Sequence, residues 1–557
     1  LYNVALALLG SSTAVYIISN FNAIIMRFGS PTTLDLAFAA IAILLVLEIA
    51  RRTLGWALPI IAMAFLAYAF LGPYLPGILH HRGYDLQRVL NQMYLTTEGI
   101  YGLPLGVSAN YIFLFVLFGS FLLATGAGQF YIDLANSLVG TTRGGPAKVA
   151  VIASAFFGTI SGSAQANVAG TGMITIPMMK SLGYRPEFAA AVEATASTGG
   201  QIMPPVMGAA AFLMAEILGV PYLKIVQAAF IPALIYFVSV LFSVDFQAIK
   251  RRIAGLTRDQ VPDARKLLRE GWPYLLPIAV LVILLVVVKW TTTKAAVYSV
   301  LATVLIGFVQ RRSKFGPRQV IDAFRDGARG AMVVVTACAC AGIVVAVINL
   351  TGLGLRFSNI VVAAAGGNLV LLLVFVMFAC ILLGMGLPTT PAYLVLAVLG
   401  APALQSLGIP PLAAHMFIFY FGCISMITPP VALAVYVAAG IAKADFWRTG
   451  VNAVKLGIAA FIVPFFFIFN PPLLFQGPLL SVLWSAITAV LGAILLSGAV
   501  IGWFFGDVGI PERVVLFASA LGLIDPGSLT NWLGFAGLAS IIVLQRIRGA
   551  RRSSLAA

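Results

Sequence analysis

Only three histidines and four cysteines occur in 557 residues, and no H-E-x-x-H pattern appears. An intramembrane or metal-dependent hydrolase needs a nucleophile beside a base, or a ligand cluster, so that chemistry has no residues here. No G-x-x-x-x-G-K-[ST] or other nucleotide-binding motif is present either, which excludes a primary pump. Cys338, Cys340, Cys380 and Cys423 all lie in apolar stretches. The thiols of Cys338 and Cys340 would stand about 200° apart on a helix, unlike metal ligands, and read as small packing residues. Charge is scarce as well, at 9% of residues, and the net +16 sits mostly in short loops. Basic loops set membrane orientation, so nucleic acid is not expected as a partner.

What the chain has in abundance is apolar residues, at 61% with a mean hydropathy of +1.03. Runs such as Tyr274 to Val288, Leu369 to Leu383 and Ile458 to Phe469 belong in a bilayer. At about 20 residues per span, roughly fourteen to sixteen crossings or half-crossings are expected. The chain begins at Leu1 inside an apolar run, without a methionine, which implies a further N-terminal piece.

Two stretches read as copies of one device: Gly200-Gln201-Ile202-Met203-Pro204-Pro205-Val206 and Ser425-Met426-Ile427-Thr428-Pro429-Pro430-Val431. A double proline breaks a helix, and broken backbone at membrane depth is tolerated only where protein or a cavity surrounds it. Breaks in corresponding halves point to a transporter's central site. Gly126-Ala127-Gly128 and Gly352-Leu353-Gly354 extend the repeat, and close helix packing is the expected role of their glycines.

The basic residues test orientation. Lys250, Arg251, Arg252, Arg258, Arg265, Lys266 and Arg269 form one linker, and Arg311, Arg312, Lys314, Arg318, Arg325 and Arg329 the next. Two spans, roughly 272–289 and 294–310, separate them, so both fall on the cytoplasmic side with Arg51, Arg52, Arg546, Arg548, Arg551 and Arg552. The segment 149–179 is interrupted at Gly158 to Ser163, with Arg143 and Lys148 before it and Lys180 and Arg185 after. It therefore reads as a helical hairpin entering from the cytoplasm. Its counterpart, 369–405, is interrupted at Gly384 to Pro391, and no Lys, Arg, Asp or Glu lies between Arg356 and Lys443. A hairpin from the outside follows, and with it an inverted repeat. The expected fold class is an all-α polytopic membrane protein with two re-entrant hairpins and broken helices. The expected divisions are 1–104, 105–250, 251–328, 329–470 and 471–557: initial scaffold helices with an interfacial loop, first repeat, linkers with connecting helices, second repeat, and C-terminal helices.

Hairpin tips leave helix ends inside the membrane, where N-termini attract anions and unwound carbonyls hold cations. Ser161, Ser163, Gln165 and Asn167 supply neutral polar contacts at the first tip, Thr389 and Thr390 at the second, and these are the candidate substrate contacts. Ser197, Thr198, Gly199 and Gly200, before the break at Pro204 and Pro205, offer oxygens of the kind that coordinate Na⁺. Gly386, with Ser425 and Thr428 before Pro429 and Pro430, supplies the second half's set. Glu193 shares a face with Ser197 and Gly200, and the offset that relates Pro204 to Pro429 makes Ile418 its counterpart. It is a candidate proton carrier, set against simple pairing with a cytoplasmic-side base. His415 reads as structural. His80 and His81 fall in an amphipathic external loop, 76–104, read as an interfacial helix and as a candidate contact for a partner protein.

The strings "GGPAKVAVIASAFFGTISGSAQANVAGTGMITIPMMKSLGY" and "AAAVEATASTGGQIMPPVMGAAAFLMAE" closely resemble the large membrane subunit of tripartite ATP-independent periplasmic (TRAP) transporters. "LEIARRTLGWALPIIAMAFLAYAFLGPYLPG", within residues 1–100, resembles part of the small subunit. The fusion resembles the TAXI branch, with 477–557 as an extra C-terminal extension. The resemblance implies elevator-type secondary transport of small organic acids in the bacterial inner membrane, with substrate from a periplasmic binding protein and no cofactor. It also implies coupling to Na⁺, with H⁺ as the alternative, a cation site at each tip and its facing break (Ser163 joining the first), and substrate between the tips. A single copy of the chain is expected to form the membrane component. A divalent-anion symporter-like carrier working without a binding protein is the alternative, and a channel the more distant one.

Overall fold

The computed structural model describes residues 2–27, 29–310 and 315–556, leaving the side chains of Ile78 and 549–556 aside. Arg311, Arg312 and Lys314 thus lie outside the described residues, as do the side chains of Arg551 and Arg552. Among the described residues all regular structure is helical, apart from one bridge between Trp503 and Asp507. Eleven helices there are long and apolar enough to cross a bilayer, and five shorter apolar helices accompany them. This is the pattern of a multi-pass membrane protein with half-crossings.

Tyr2–Met26, Thr33–Leu54 and Ala57–Leu71 come first. Arg27 and Asp35 pair at 2.9 Å across the first turn between helices, where Tyr16 also donates to Asp35 at 2.7 Å. The amphipathic loop behaves differently from a free interfacial segment. Its helix, Leu86–Tyr94, buries Val89, Leu90, Met93 and Tyr94 against Thr33–Leu54 and Pro317–Thr351, because that apolar face finds protein before lipid. His81 is likewise buried, its Nε2 2.9 Å from the carbonyl of Tyr68, rather than presented to a partner.

Two antiparallel helix pairs stand at the centre. Hairpin 1 comprises Gly145–Ser161 and Ala164–Ser181; hairpin 2 comprises Leu369–Gly384 and Thr389–Ser406. Each is followed by a helix that ends in a break, Pro186–Gly199 and Pro411–Ile424. The offset that carries Pro204 onto Pro429 also carries Ala164–Ser181 onto Thr389–Ser406 and Pro186–Gly199 onto Pro411–Ile424. The same shift relates the cis bonds Pro204–Pro205 and Pro429–Pro430, and the left-handed residues Met207 and Ala432. Gly126 and Gly352, at φ +93° and +68°, open equivalent helices in a conformation that favours glycine. Gly128 and Gly354 instead lie close against Leu123 and the Val398 carbonyl, the packing role expected of them. The repeat is therefore written in the backbone as well as in the motif.

One expected division moves. Pro317–Thr351 is a single 35-residue helix that runs through position 328, so Arg318, Arg325 and Arg329 occupy its first turns rather than a linker. Exposed bases on an emergent helix end satisfy the orientation rule as well as a loop does. The linker spans appear as Leu276–Val282, continuing through 287, and Thr292–Val309. Leu479–Ile501, Ile510–Ile524 and Ser528–Ala556 make the C-terminal extension. The first of these packs on Tyr222–Arg251, where Ser497 donates to the Ser239 carbonyl at 2.9 Å. At the base of hairpin 1, Arg143 grips Asp245 with two bonds of 3.0 and 2.9 Å and Lys148 adds a third at 2.6 Å.

Candidate functional site

Each tip meets the break of its own half closely. A Cβ on Gly158 would lie 2.2 Å from Gly200 Cα, and one on Gly162 would lie 2.1 Å from the Met207 carbonyl. No side chain fits there, which explains the glycine-rich strings. In the second half Ser425 donates to the Gly384 carbonyl at 3.2 Å. The halves are also stitched to each other. Gln201 Nε2, in the first break, donates to Thr389 Oγ1 of hairpin 2 at 2.7 Å. Gln165 Nε2, at hairpin 1, reaches Met426 Sδ of the second break at 3.6 Å. Positions 201 and 426 are equivalent in the repeat, so one bond is the near-mirror of the other.

Between the tips lies a cavity of about 590 Å³, large enough for a small organic ligand. Ser161, Ser163, Gln165, Gln201, Thr389 and Thr390 supply polar walls, and Phe115 and Phe212 apolar ones; among the described residues none that lines it is charged. Ser161 Oγ and Gln201 Oε1 are buried and lack a hydrogen-bond partner among the described residues. Buried polar atoms without partners are uncommon, and two in one cavity mark a place for a ligand or water. The N-termini of Ala164–Ser181 and Thr389–Ser406 open at this cavity, presenting the positive ends of two helix dipoles. Gly386 also lines it.

The other candidates stand apart. Asn167 is buried, and its Nδ2 donates to the Ser154 carbonyl at 3.0 Å, binding the arms of hairpin 1. Thr198 and Thr428 return their hydroxyls to helix carbonyls at 2.8 and 2.9 Å. Gly199 faces Tyr236, and Gly200 faces Gly158 and Asn167. His415 is buried with its Nδ1 2.8 Å from Tyr393 Oη, the satisfied arrangement expected of it.

Glu193 is fully buried and no described base pairs with it; the expected alternative of a cytoplasmic-side partner does not hold. Helix Pro186–Gly199 points that face at hairpin 1 instead. Four hydroxyls surround the carboxyl: Thr171 and Ser154 (3.2 Å) at Oε1, Ser197 at the same oxygen (3.1 Å), and Thr175 at Oε2. Thr171 Oγ1 also lies 2.8 Å from the Asn167 carbonyl, and Thr175 Oγ1 3.0 Å from the Thr171 carbonyl. One hydroxyl carries one proton and cannot donate to both acceptors. A protonated carboxyl has one proton to donate and relieves the conflict at one of the two threonines. Ser154, Thr171 and Thr175 were not singled out from sequence, although Asn167, Thr171 and Thr175 recur at four-residue spacing on one helix face. Gln201 was visible in the break motif but carried no assigned role.

With this geometry in hand, comparison with known proteins defines the class. Residues 41–482 match the family described as "Tripartite ATP-independent periplasmic transporter, DctM component". The chain belongs to that family: it is a membrane component of a transporter and not an enzyme. The 2,3-diketo-L-gulonate TRAP transporter large permease protein YiaN of Escherichia coli (strain K12) is 25% identical, covering 64% of this chain and 83% of that protein. The C4-dicarboxylate TRAP transporter large permease protein DctM of Pseudomonas aeruginosa is 27% identical over 59% and 76%. The sialic acid TRAP transporter large permease protein SiaM of Vibrio cholerae is 23% identical over 64% and 81%. Among solved structures, the Alcanivorax borkumensis YdaH transporter shares the fold, with TM-score 0.51 and 18% identity over 78% of this chain and 99% of that one.

Proposed function

We propose that the chain takes up a small carboxylate across the bacterial inner membrane, receiving it from a periplasmic binding protein and drawing on an ion gradient. The observation that carries this reading is the uncharged cavity onto which two helix N-termini and two unpartnered polar atoms converge. Helix dipoles hold an anion without a fixed cation, which keeps release easy. The acids named for the relatives, diketogulonate, C4-dicarboxylate and sialic acid, all carry a carboxylate. Three helices before residue 72 support a small-subunit-like portion fused to the large one, as in the TAXI branch.

The mechanism is an elevator. Thr53 and Leu54, just beyond Arg51 and Arg52 at the cytoplasmic end of their helix, line the cavity. Ala57 Cβ lies 3.6 Å from where a Cβ on Gly386 would stand. A hairpin that enters from outside thus has its tip at the cytoplasmic level. A second space of about 810 Å³ lies behind it, between Gln405 and His415 on the hairpin side and Thr97, Glu98 and Asn349 on the scaffold. This arrangement supports reading the chain as an inward-facing carrier, with 149–245 and 369–470 as most of the moving unit and the initial and linker helices as the frame.

Coupling is assigned to the first half. The hydroxyl ring around Glu193, with its donor conflict, favours a proton on the carboxyl over a Na⁺ ion at Ser163, Ser197 to Gly200, Gly386, Ser425 and Thr428. Uptake by proteoliposomes with purified binding protein, under separately imposed Na⁺ and proton gradients, tests all of this. Accumulation under the proton gradient in Na⁺-free buffer is expected. Accumulation with Na⁺ alone overturns the assignment to Glu193, and linear, unsaturable flux overturns the carrier.

A further inference from the structure

On the face that the basic residues mark as cytoplasmic, a depression of about 720 Å³ opens away from the substrate cavity. Three segments meet there: the turn 183–188 after hairpin 1, the end of Tyr222–Arg251, and helix Phe446–Leu456. Their common face is fixed by Lys180, whose Nζ reaches the Ala442 carbonyl at 3.0 Å, tying the hairpin base to the helix preceding Phe446.

Arg185, Arg251, Arg448 and Lys455 all line the depression, and Glu187 is the single acid among its described walls. None of the four cations forms an ion pair among the described residues. Nearby, Arg143 and Lys148 show what a structural role looks like, since both are answered by Asp245. Gathering like charges from segments distant in sequence is unfavourable unless an anion occupies the space. Gln247 and Asn452 add neutral hydrogen-bonding groups to the same walls.

The remaining wall identifies the anion's source. Trp447 and Val451 line the depression and are 57% and 49% exposed. Tryptophan beside bases at the ends of spanning helices belongs at the headgroup level, with the apolar side chains toward acyl chains. A freely soluble phosphate gains nothing from that apolar wall. We propose that this depression binds the phosphate headgroup of an anionic phospholipid of the cytoplasmic leaflet. The ligand bridges the base of hairpin 1, helix Tyr222–Arg251 and helix Phe446–Leu456.

The test is native mass spectrometry of the detergent-purified full chain with cardiolipin, with phosphatidylcholine, and with inorganic phosphate. Cardiolipin adducts should survive activation and phosphatidylcholine adducts should not. The combined Arg251→Gln, Arg448→Gln and Lys455→Gln variant should lose cardiolipin retention by at least ~10-fold, given the favourable contribution of each base near an anionic headgroup. Arg448→Glu alone should weaken it in the same direction, and Arg318→Gln with Arg325→Gln, on a different helix, should leave it unchanged. Each variant's monodisperse elution confirms that it is folded. Equal retention of both lipids, or cardiolipin retention insensitive to these substitutions, overturns the proposal. So does retention of inorganic phosphate that matches that of cardiolipin, because it assigns the site to a soluble anion.

Discussion

The two halves share a backbone and divide the chemistry. The shift that takes Pro204 to Pro429 carries Glu193 onto Ile418, and its partners Ser154, Thr171, Thr175 and Ser197 onto Ala379, Leu396, Gly400 and Gly422. The carboxyl and all four of its hydroxyls disappear together. One half thus keeps a buried polar pocket beneath its hairpin, while the equivalent positions of the other are apolar. The difference teaches that the repeat supplies shape twice but the candidate coupling group once. It also separates two features of the hairpins: both tips wall the central cavity, and only the first hairpin covers a buried carboxyl.

The largest effect is categorical. Ser181 and Gln405 end the equivalent helices of the two hairpins and are both exposed. Single cysteines there, in a cysteine-free background, should react with an impermeant thiol reagent from opposite sides of the membrane. Reaction from the same side removes the inversion on which the comparison stands.

Next in size is Glu193→Gln. It keeps shape and most hydrogen bonds but cannot exchange a proton, so gradient-driven accumulation should vanish while substrate exchange across the membrane persists. Unchanged accumulation by the Glu193→Gln protein makes the asymmetry between halves merely structural. Transplanting the pocket sharpens the point: Ile418→Glu alone, without the hydroxyls, should destabilise the fold by several kcal/mol, because an unsatisfied carboxyl is then buried. A melting temperature equal to wild type would contradict the idea that the four hydroxyls are what make Glu193 tolerable.

Smaller effects belong to the tips. Gly158→Ala should cost about 1–3 kcal/mol through overpacking against Gly200, read as a lower melting temperature, whereas Gly422→Ala, with nothing within 4 Å, should be near neutral. Gln201→Ala removes an unpartnered acceptor from the cavity and the bond to Thr389 together. It should raise the KM for uptake about 10-fold, the size of one hydrogen bond to a ligand, without altering the coupling ion. A changed gradient dependence instead would tie the cavity and the Glu193 pocket into a single site.

Several of these features were legible in the chain. Hydropathy located the spans, since a stretch of about 20 apolar residues has few other places to go. The proline pairs located both breaks, and their recurrence gave the repeat its register. Asn167 shows the limit: its position near the tip suggested a substrate contact, yet the amide is spent between the hairpin's arms. The amphipathic helix Leu86–Tyr94 shows another, because its apolar face predicts burial without saying whether lipid or protein covers it.

By itself, then, the sequence determined the all-helical membrane class, the two broken helices, the hairpins and the neutral polar residues near their tips. These follow from hydropathy, from proline's missing donor and from spacing along one helix, all of which act over a few turns. Only the tertiary structure decided that Gln201 of one half bonds Thr389 of the other, that hydroxyls rather than a base surround Glu193, and that four cations share one depression. Those contacts join residues far apart along the chain. They depend on how closely glycine-lined backbones such as Gly158 and Gly200 approach, a distance that no local pattern encodes.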